Sequence, residues 1–487
     1  MPILNLKSTA YTSFVALTLI YLCFGTANAN IDSWYYAACV KYRHELINSH
    51  HLLYNGFGYF VHSGFKMLLP GIEAMRSLQI MNALAAGGCL FVLHGTLKRL
   101  GSDGYTALSY TLFCGVSFGF MRFATDAETY ILPVLCSLLS VFFLTQKKPA
   151  LNLILSGCFA ALSVLFHQLH IWWTLALFFS IAISRSLSFR QLLYFTIPHL
   201  LIPVVYIVAW KNQIQTQTLL AFVSGEYTKG NAGIDLSLKS LALTGINGFR
   251  TLFQIHGQIP YLFKAYPITS AASALLSILL LLEWKRPQQA GIVKQLQNIP
   301  LKNGFLIAMA AQLVFAFLSS GNAEFMVMLP FLLVLYLSGR YTFSGPGAML
   351  LPVLGMFVWN MFSGILPSAN LNLNNVNHQA KFSASHPESV FVWNNRALLD
   401  NILCYRLGFK HGISLQKYEG KAMLVKMLEN PQGVYTDIGN PATRFSRGRF
   451  LESPVSEIDR NAFSLQAVDS FENLYGKNYI YRIQALK

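Results

Sequence analysis

Nearly uncharged apolar stretches recur through the first three-quarters of the chain, at about 11–25, 77–97, 105–121, 129–146, 150–166, 170–184, 191–210, 266–283, 303–320, 325–339 and 346–366. Each is near the ~20 residues that an α-helix needs to cross the hydrocarbon core of a bilayer. Backbone polar groups in lipid must be satisfied within the segment, so stretches of this length and composition predict helices. Only 11% of the residues are charged and 54% are hydrophobic, where a soluble domain carries about a quarter charged residues. Mean hydropathy is +0.44. The pattern predicts an all-α polytopic membrane bundle of eleven spans over residues 1–366, followed by a small α/β domain over 367–487. The net charge of +16 is then a membrane signature before a nucleic-acid one.

The connecting loops set an orientation. Lys7, Lys98, Arg99, Lys147, Lys148, Arg185, Arg190, Lys285, Arg286, Lys294, Lys302 and Arg340 fall in loops that are cytoplasmic if the N-terminus is cytoplasmic, whereas the short opposite turns 122–128, 167–169 and 321–324 hold only Arg122. This is the positive-inside distribution expected of a cell inner-membrane protein, with its C-terminal domain extracytoplasmic. Ala27-Asn28-Ala29 also resembles a signal-peptidase site, but a retained first helix is the preferred reading. Two longer outer segments remain, 28–76 and 211–265. The first is rich in Tyr, His and Gly and suits interfacial helices. In the tail, SVFVWNN, GVYTDIG and NYIYRIQAL read as strands and RALLDNILCYRLGF and KAMLVKMLEN as amphipathic helices. The Asn-rich SANLNLNNVNHQAKFSASHP reads as a flexible connector. The seven cysteines show no CxxC spacing, so neither a metal cluster nor a disulfide framework is expected.

Of the 20 acids, only Asp103 and Glu283 fall on the cytoplasmic side, ten lie in the tail, and eight lie on the outer side of the membrane part. Those eight include Asp32 just after the first span, Asp126 and Glu128 in the turn Arg122-Phe-Ala-Thr-Asp-Ala-Glu, and Glu324 before the tenth span. His167 and His170 occupy another outer turn. Four polar turns at one end of a bundle suit a shared cavity. Simpler accounts stand beside this one. Asp32, Asp126, Glu128 and Glu324 are all placed to start helices, the two histidines suit an interfacial position, Trp34, Trp172 and Trp173 suit an aromatic belt, and the Arg444, Arg447 and Arg449 run suits a solvated face.

At these residues the chain resembles the GT-C superfamily of integral-membrane glycosyltransferases, of the protein mannosyltransferase and aminoarabinose transferase type. The likeness lies in IDSWYY after the first span, HHLLYNGFGYF where relatives often have a His-Pro-Leu-Tyr-like stretch, the DAE turn after the third span, AEFMVMLPFLLVLYL, and a C-terminal extracytoplasmic domain. It implies an inverting enzyme that takes a sugar from a polyprenyl-phosphate donor and passes it to a lipid, glycan or protein acceptor, with membrane lipids around it and no nucleic acid. Asp32 matches the family's catalytic acid and would act as general base. Asp126 and Glu128 would position the acceptor, or bind a divalent cation together with His167 or His170. DAE is not a strict Asp-x-Asp, which leaves the metal unassigned. Arg122 is the first choice to meet the departing phosphate, with Lys211, Arg250 and Lys264 behind it. His51, Tyr54, His167, His170 and Glu324 complete the expected substrate contacts. The other readings open from sequence are a transporter or lipid flippase, a surface-polysaccharide polymerase or ligase using the basic 211–265 loop, and a non-catalytic scaffold.

Overall fold

The computed structural model describes all residues except 1–5, 147–148, 185–186, 213–217, 230–235, 256, 286–287, 290–300, 344–346, 441–457 and 487. Lys147, Lys148, Arg185, Arg286, Lys294 and the Arg444, Arg447 and Arg449 run lie outside the described residues. The first part of the chain is helical: α1 (Leu6–Cys23), α2 (Ile31–Tyr42), α3 (Tyr54–Leu68), α4 (Ala74–Arg99), α5 (Gly104–Val116), α6 (Phe118–Ala124), α7 (Ile131–Leu144) and α8 (Ala150–Phe166). Helices also cover each of the later apolar stretches.

The expected count of eleven crossings is not reached on length. Among the described residues, four helices are long and apolar enough to span a membrane: Ala74–Arg99, Phe189–Asn212, Leu301–Leu318 and Ala348–Asn370. The pair α5 and α6, bent by 64°, brings the number to five, and the other apolar helices are only 10–17 residues long. The 28–76 segment forms α2 and α3, and the 211–265 segment contains the helices Leu219–Lys229, Leu238–Leu252 and Ile259–Ala265.

α1 is held in the bundle by Phe14, packed edge-on against Phe91 of α4, and by Tyr21, whose hydroxyl donates to the Gly115 carbonyl at 2.7 Å. The break between α5 and α6 falls at Ser117, which is extended (φ −62°, ψ 136°). A break of this kind strips carbonyls of their helical partners. Asn360, fully buried, supplies the replacement. Its Nδ2 donates to the Val116 carbonyl at 2.8 Å and the Leu252 carbonyl at 2.7 Å, and its Oδ1 accepts the Gln254 N–H at 2.9 Å. One amide thereby ties the end of α5, just before the break that starts α6, to the end of the Leu238–Leu252 helix. α6 carries Arg122 and the Leu238–Leu252 helix carries Arg250.

The C-terminal part builds a five-stranded mixed sheet. Val390–Val392 pairs in parallel with Ser414–Gln416 and Val434–Thr436, and Val434–Thr436 pairs antiparallel with Gly476–Ala485, which pairs antiparallel with Phe463–Asn473. The Arg396–Leu407 and Lys421–Met427 helices agree with the sequence reading. The Asn-rich connector differs from it, because Val376–Ser385 is a helix with Val376, Gln379, Ala380 and Ser383 buried. Four residues at helical spacing are too few to outweigh the polar composition around them, so the segment reads as linker.

This body docks through Arg396–Leu407 onto α2. Asn401 Nδ2 donates to the Ile31 carbonyl at 2.9 Å, Lys41 Nζ to the Tyr405 carbonyl at 3.0 Å, and Trp34 packs edge-on against Tyr405. Asn28 adds a clamp to the connector, donating to the carbonyls of Ser368 and Leu371 at 2.8 Å each and accepting the Leu373 N–H at 3.0 Å.

Asn360→Ala should lower the thermal unfolding temperature of the protein in detergent strongly. It leaves two carbonyls and one N–H in a buried site without partners, at about 1–3 kcal/mol each. Asn370→Ala, which loses one exposed side-chain bond, should leave that temperature unchanged.

Candidate functional site

Asn30 caps α2 by accepting the Ile31 N–H at 2.7 Å, which places Asp32 in the first helical turn, half-buried. The same residue gathers the other acids. Its backbone N–H reaches Asp126 Oδ2 at 3.3 Å and its Nδ2 donates to Glu324 Oε1 at 3.1 Å. The Tyr130 hydroxyl donates to Glu324 Oε2 at 3.0 Å, and Ser33 Oγ lies 3.4 Å from Glu128 Oε1. From α4, Asn82 Nδ2 holds the turn itself through the carbonyls of Asp126 (2.8 Å) and Glu128 (2.6 Å). The backbone joins in, with the Thr26 N–H donating to the Thr125 carbonyl at 2.9 Å.

None of these acids serves as the N-cap of the helix that follows it. α7 begins at Ile131 without a side-chain cap, and the turn Ala323–Met326 is capped by Asn322. Glu324 is placed by Gly321, whose backbone sits at φ +69°, where a Cβ would meet the Thr244 nitrogen at 2.6 Å. Asp126 and Glu128 are only 3% and 1% exposed. Burial raises the pKa of Glu128 well above its ordinary value, and the charges of Asp32, Glu324 and Asp126 raise it further. Burial also raises that of Asp126, against the hydrogen bond from Ala127. Three of the four polar turns expected to meet therefore do so, as one group of carboxylates.

The fourth turn lies behind it. The His51 and His167 rings are 4.5 Å apart, with Tyr130 against His167 and Tyr36 against both His51 and Tyr54. Burial holds His51 down at about 3 and His167 well below its ordinary value, so both are neutral. His170 turns away to Ser137 Oγ at 2.7 Å. His51, Tyr54, His167 and His170 form packing behind the carboxylates and do not line the cavity described next, contrary to the expected substrate contacts.

A cavity of about 630 Å³ opens between the helical part and the C-terminal body. Asn30, Ile31, Arg122, Asp126 and Arg250 line one side, and Asn395, Arg396 and Lys417 the other. Asp32 is not among the lining residues; the wall holds the two residues that precede it, Asn30 and Ile31. Arg122 and Arg250 thus share one site, as a phosphate-binding role requires. Lys211 and Lys264 are exposed and line no part of it. Lys211 lies at the end of the helix that finishes at Asn212, and Lys264 lies on a separate short helix, Ile259–Ala265. Arg396 and Lys417 went unrecognised in the sequence, where nothing distinguishes them from other basic residues of an amphipathic tail. A second, apolar cavity of about 500 Å³ is walled by Trp172, Ile202, Tyr206 and Phe315.

A shared cation is not supported by the expected ligands. Asp126, Glu128, His167 and His170 do not converge at ligand spacing; among the described residues, only Asp400, Cys404 and His411 do. There His411 accepts the Ile413 N–H on Nδ1 (3.2 Å), so its Nε2 carries the proton toward Asp400 (3.1 Å) and offers no lone pair. Burial pushes the Cys404 thiol up to about 11, so a metal bound here would have to displace that proton.

No protein-family model matches the chain, and no curated protein matches it in sequence. Its structure is similar to that of ArnT from Cupriavidus metallidurans in the apo state, at 12% identity over 98% of each chain with a TM-score of 0.48. It is also similar to the Archaeoglobus fulgidus oligosaccharyltransferase in complex with Zn and sulfate, at 10% identity over 87% of this chain and 67% of that one, with a TM-score of 0.42. Both are GT-C glycosyltransferases.

The raised pKa of Glu128 sets a sign for stability against pH. A carboxyl that holds its proton more tightly when folded stabilises the fold fully below its unfolded pKa, near the ordinary 4.5. That contribution is lost as pH rises from there toward the folded pKa. Thermal unfolding of the wild type in detergent should therefore fall more steeply between pH 5 and pH 8 than that of Glu128→Gln, which cannot ionise; parallel curves would contradict the burial of a protonated Glu128.

Proposed function

We propose that this chain is an inverting GT-C glycosyltransferase of the inner membrane. It moves a sugar from a polyprenyl-phosphate carrier to a lipid, glycan or protein acceptor at the outer face, where the C-terminal domain also lies. The observation that carries this reading is the cavity itself, in which two arginines from different helices stand beside a buried carboxylate that is hydrogen-bonded to the residue capping the Asp32 helix. In this reading an acceptor hydroxyl attacks the anomeric carbon and its proton passes to Asp32. The bond from that carbon to the carrier phosphate breaks on the opposite face, and the phosphate leaves with the electron pair. A general base must lie within hydrogen-bond reach of the proton it removes, and Asp32 directly follows two residues of the cavity wall, Asn30 and Ile31. Arg122 and Arg250 supply the fixed positive charge that a departing phosphate needs. The amides of Asn30, Gln254 and Gln258 along the wall suit sugar hydroxyls. Asp126 and Glu128 hold the acceptor side, and no step passes through a cation.

The transporter reading is weaker because the carboxylates sit in turns and first helical turns, not within a span. The polymerase or ligase reading needs a basic 211–265 loop acting as one surface, and among the described residues Arg250 is the one basic side chain of that segment in the cavity lining.

Lipid-linked glycans of a strain carrying Asp32→Asn, compared by mass spectrometry with those of the parent and a deletion strain, test the assignment. Asp32→Asn should reproduce the deletion, with transfer reduced about 10²–10⁴-fold. Arg122→Ala should also accumulate donor. Full transfer by Asp32→Asn, with loss instead in Asp126→Asn, would move the base to Asp126; full transfer by both would remove the enzymatic reading.

A further inference from the structure

The cavity holds more positive charge than one departing phosphate requires. Arg122 and Arg250 belong to the helical part, whereas Arg396 and Lys417 come from the C-terminal body across the same space, and among the described residues Asp126 is the one carboxylate in the lining. Among the described residues, no carboxylate lies at ion-pair distance from Arg122, Arg396 or Lys417. Like charges facing one another across a solvated gap repel, and an anion between them relieves that repulsion. The wall at Asn395 and Arg396 is also the first turn of a twelve-residue helix, whose partial positive charge has the same sign preference. That turn is rigidly placed. Buried Asp437 accepts the Asn394 N–H at 2.9 Å and a Gln379 Nε2 hydrogen bond at 3.0 Å, while Asn401 on the same helix is bonded to α2.

We propose that the substrates filling this cavity present two anionic groups of phosphate type, one held by Arg122 and Arg250 and the second gripped by Arg396 and Lys417, which makes the C-terminal domain part of the binding site. The proposal rests on reading the cavity as the place where a carrier phosphate departs, and it adds a second anion to that reading. A carrier phosphodiester has one negative charge at the reacting centre, so the second group belongs either to a diphosphate carrier or to the acceptor.

Binding of tripolyphosphate to the purified full-length chain in neutral detergent at low ionic strength, followed by calorimetry, tests this without turnover. The R396A/K417A pair should weaken binding about tenfold or more, the loss expected from removing charge-assisted contacts. K381A/K426A removes the same charge from exposed positions of the same domain outside the cavity wall and should leave binding unchanged. Equal losses from the two pairs, or none from R396A/K417A, would overturn the proposal.

Competition by polyprenyl monophosphate or diphosphate in phosphatidylcholine vesicles then locates the second anion. Stronger displacement by the diphosphate in wild type, lost in R396A/K417A, places both groups on the carrier. Equal displacement by the two lipids places the second on the acceptor, and displacement by neither overturns the assignment of the cavity. Because no transfer is measured, failure here is distinct from retained activity in Asp32→Asn.

Discussion

Everything at the active end of this molecule depends on the burial of several carboxylates together. Burial of an ionised carboxylate is costly, and two or more near each other cannot all be charged without compensation. The chain answers with neutral amides and hydroxyls in place of cations at contact distance. Asn30 reaches Asp126 and Glu324, Tyr130 completes Glu324, Ser33 approaches Glu128, and Asn82 secures the turn from below. Neutral donors satisfy oxygen lone pairs without cancelling the field, so the group keeps a high proton affinity.

The basic side chains are then free to face the cavity. Arg122 is close enough to lower the pKa of Asp126 but is not an ion-pair partner to it. The separation leaves the arginine side of the cavity cationic beside the carboxylate cluster. The break at Ser117 is what aims Arg122. Without it α5 and α6 would form one straight helix, and Asn360 holds the bend by satisfying the Val116 carbonyl while also binding the Leu252 carbonyl of the neighbouring helix. The C-terminal body closes the site from the opposite side, fixed to α2 by the same helix that begins at the cavity wall.

The apolar periodicity made each helix legible, because length and hydropathy are local properties. It did not settle how many helices span a bilayer, since six apolar helices end within 10–17 residues and a run of apolar residues does not reveal where hydrogen bonding stops. Asp32, Asp126, Glu128 and Glu324 were identifiable as ionisable residues at the ends of apolar runs. Lys211 and Lys264 were chosen on the same basis and proved to be elsewhere, because charge in a loop carries no information about direction. His167 and His170 look like ligands in sequence, yet three-residue spacing does not predict that one ring packs on His51 while the other bonds Ser137.

Sequence alone thus determined the helical class, the polar ends of the helices and the α/β character of the tail, all consequences of how residues partition between water and an apolar phase. Only the tertiary structure decided that Asn30 joins acids separated by 96 and 294 positions, and that Arg396 and Lys417 face Arg122 and Arg250. Those meetings depend on the mutual orientation of helices, which packing and buried hydrogen bonds determine between segments far apart in the chain.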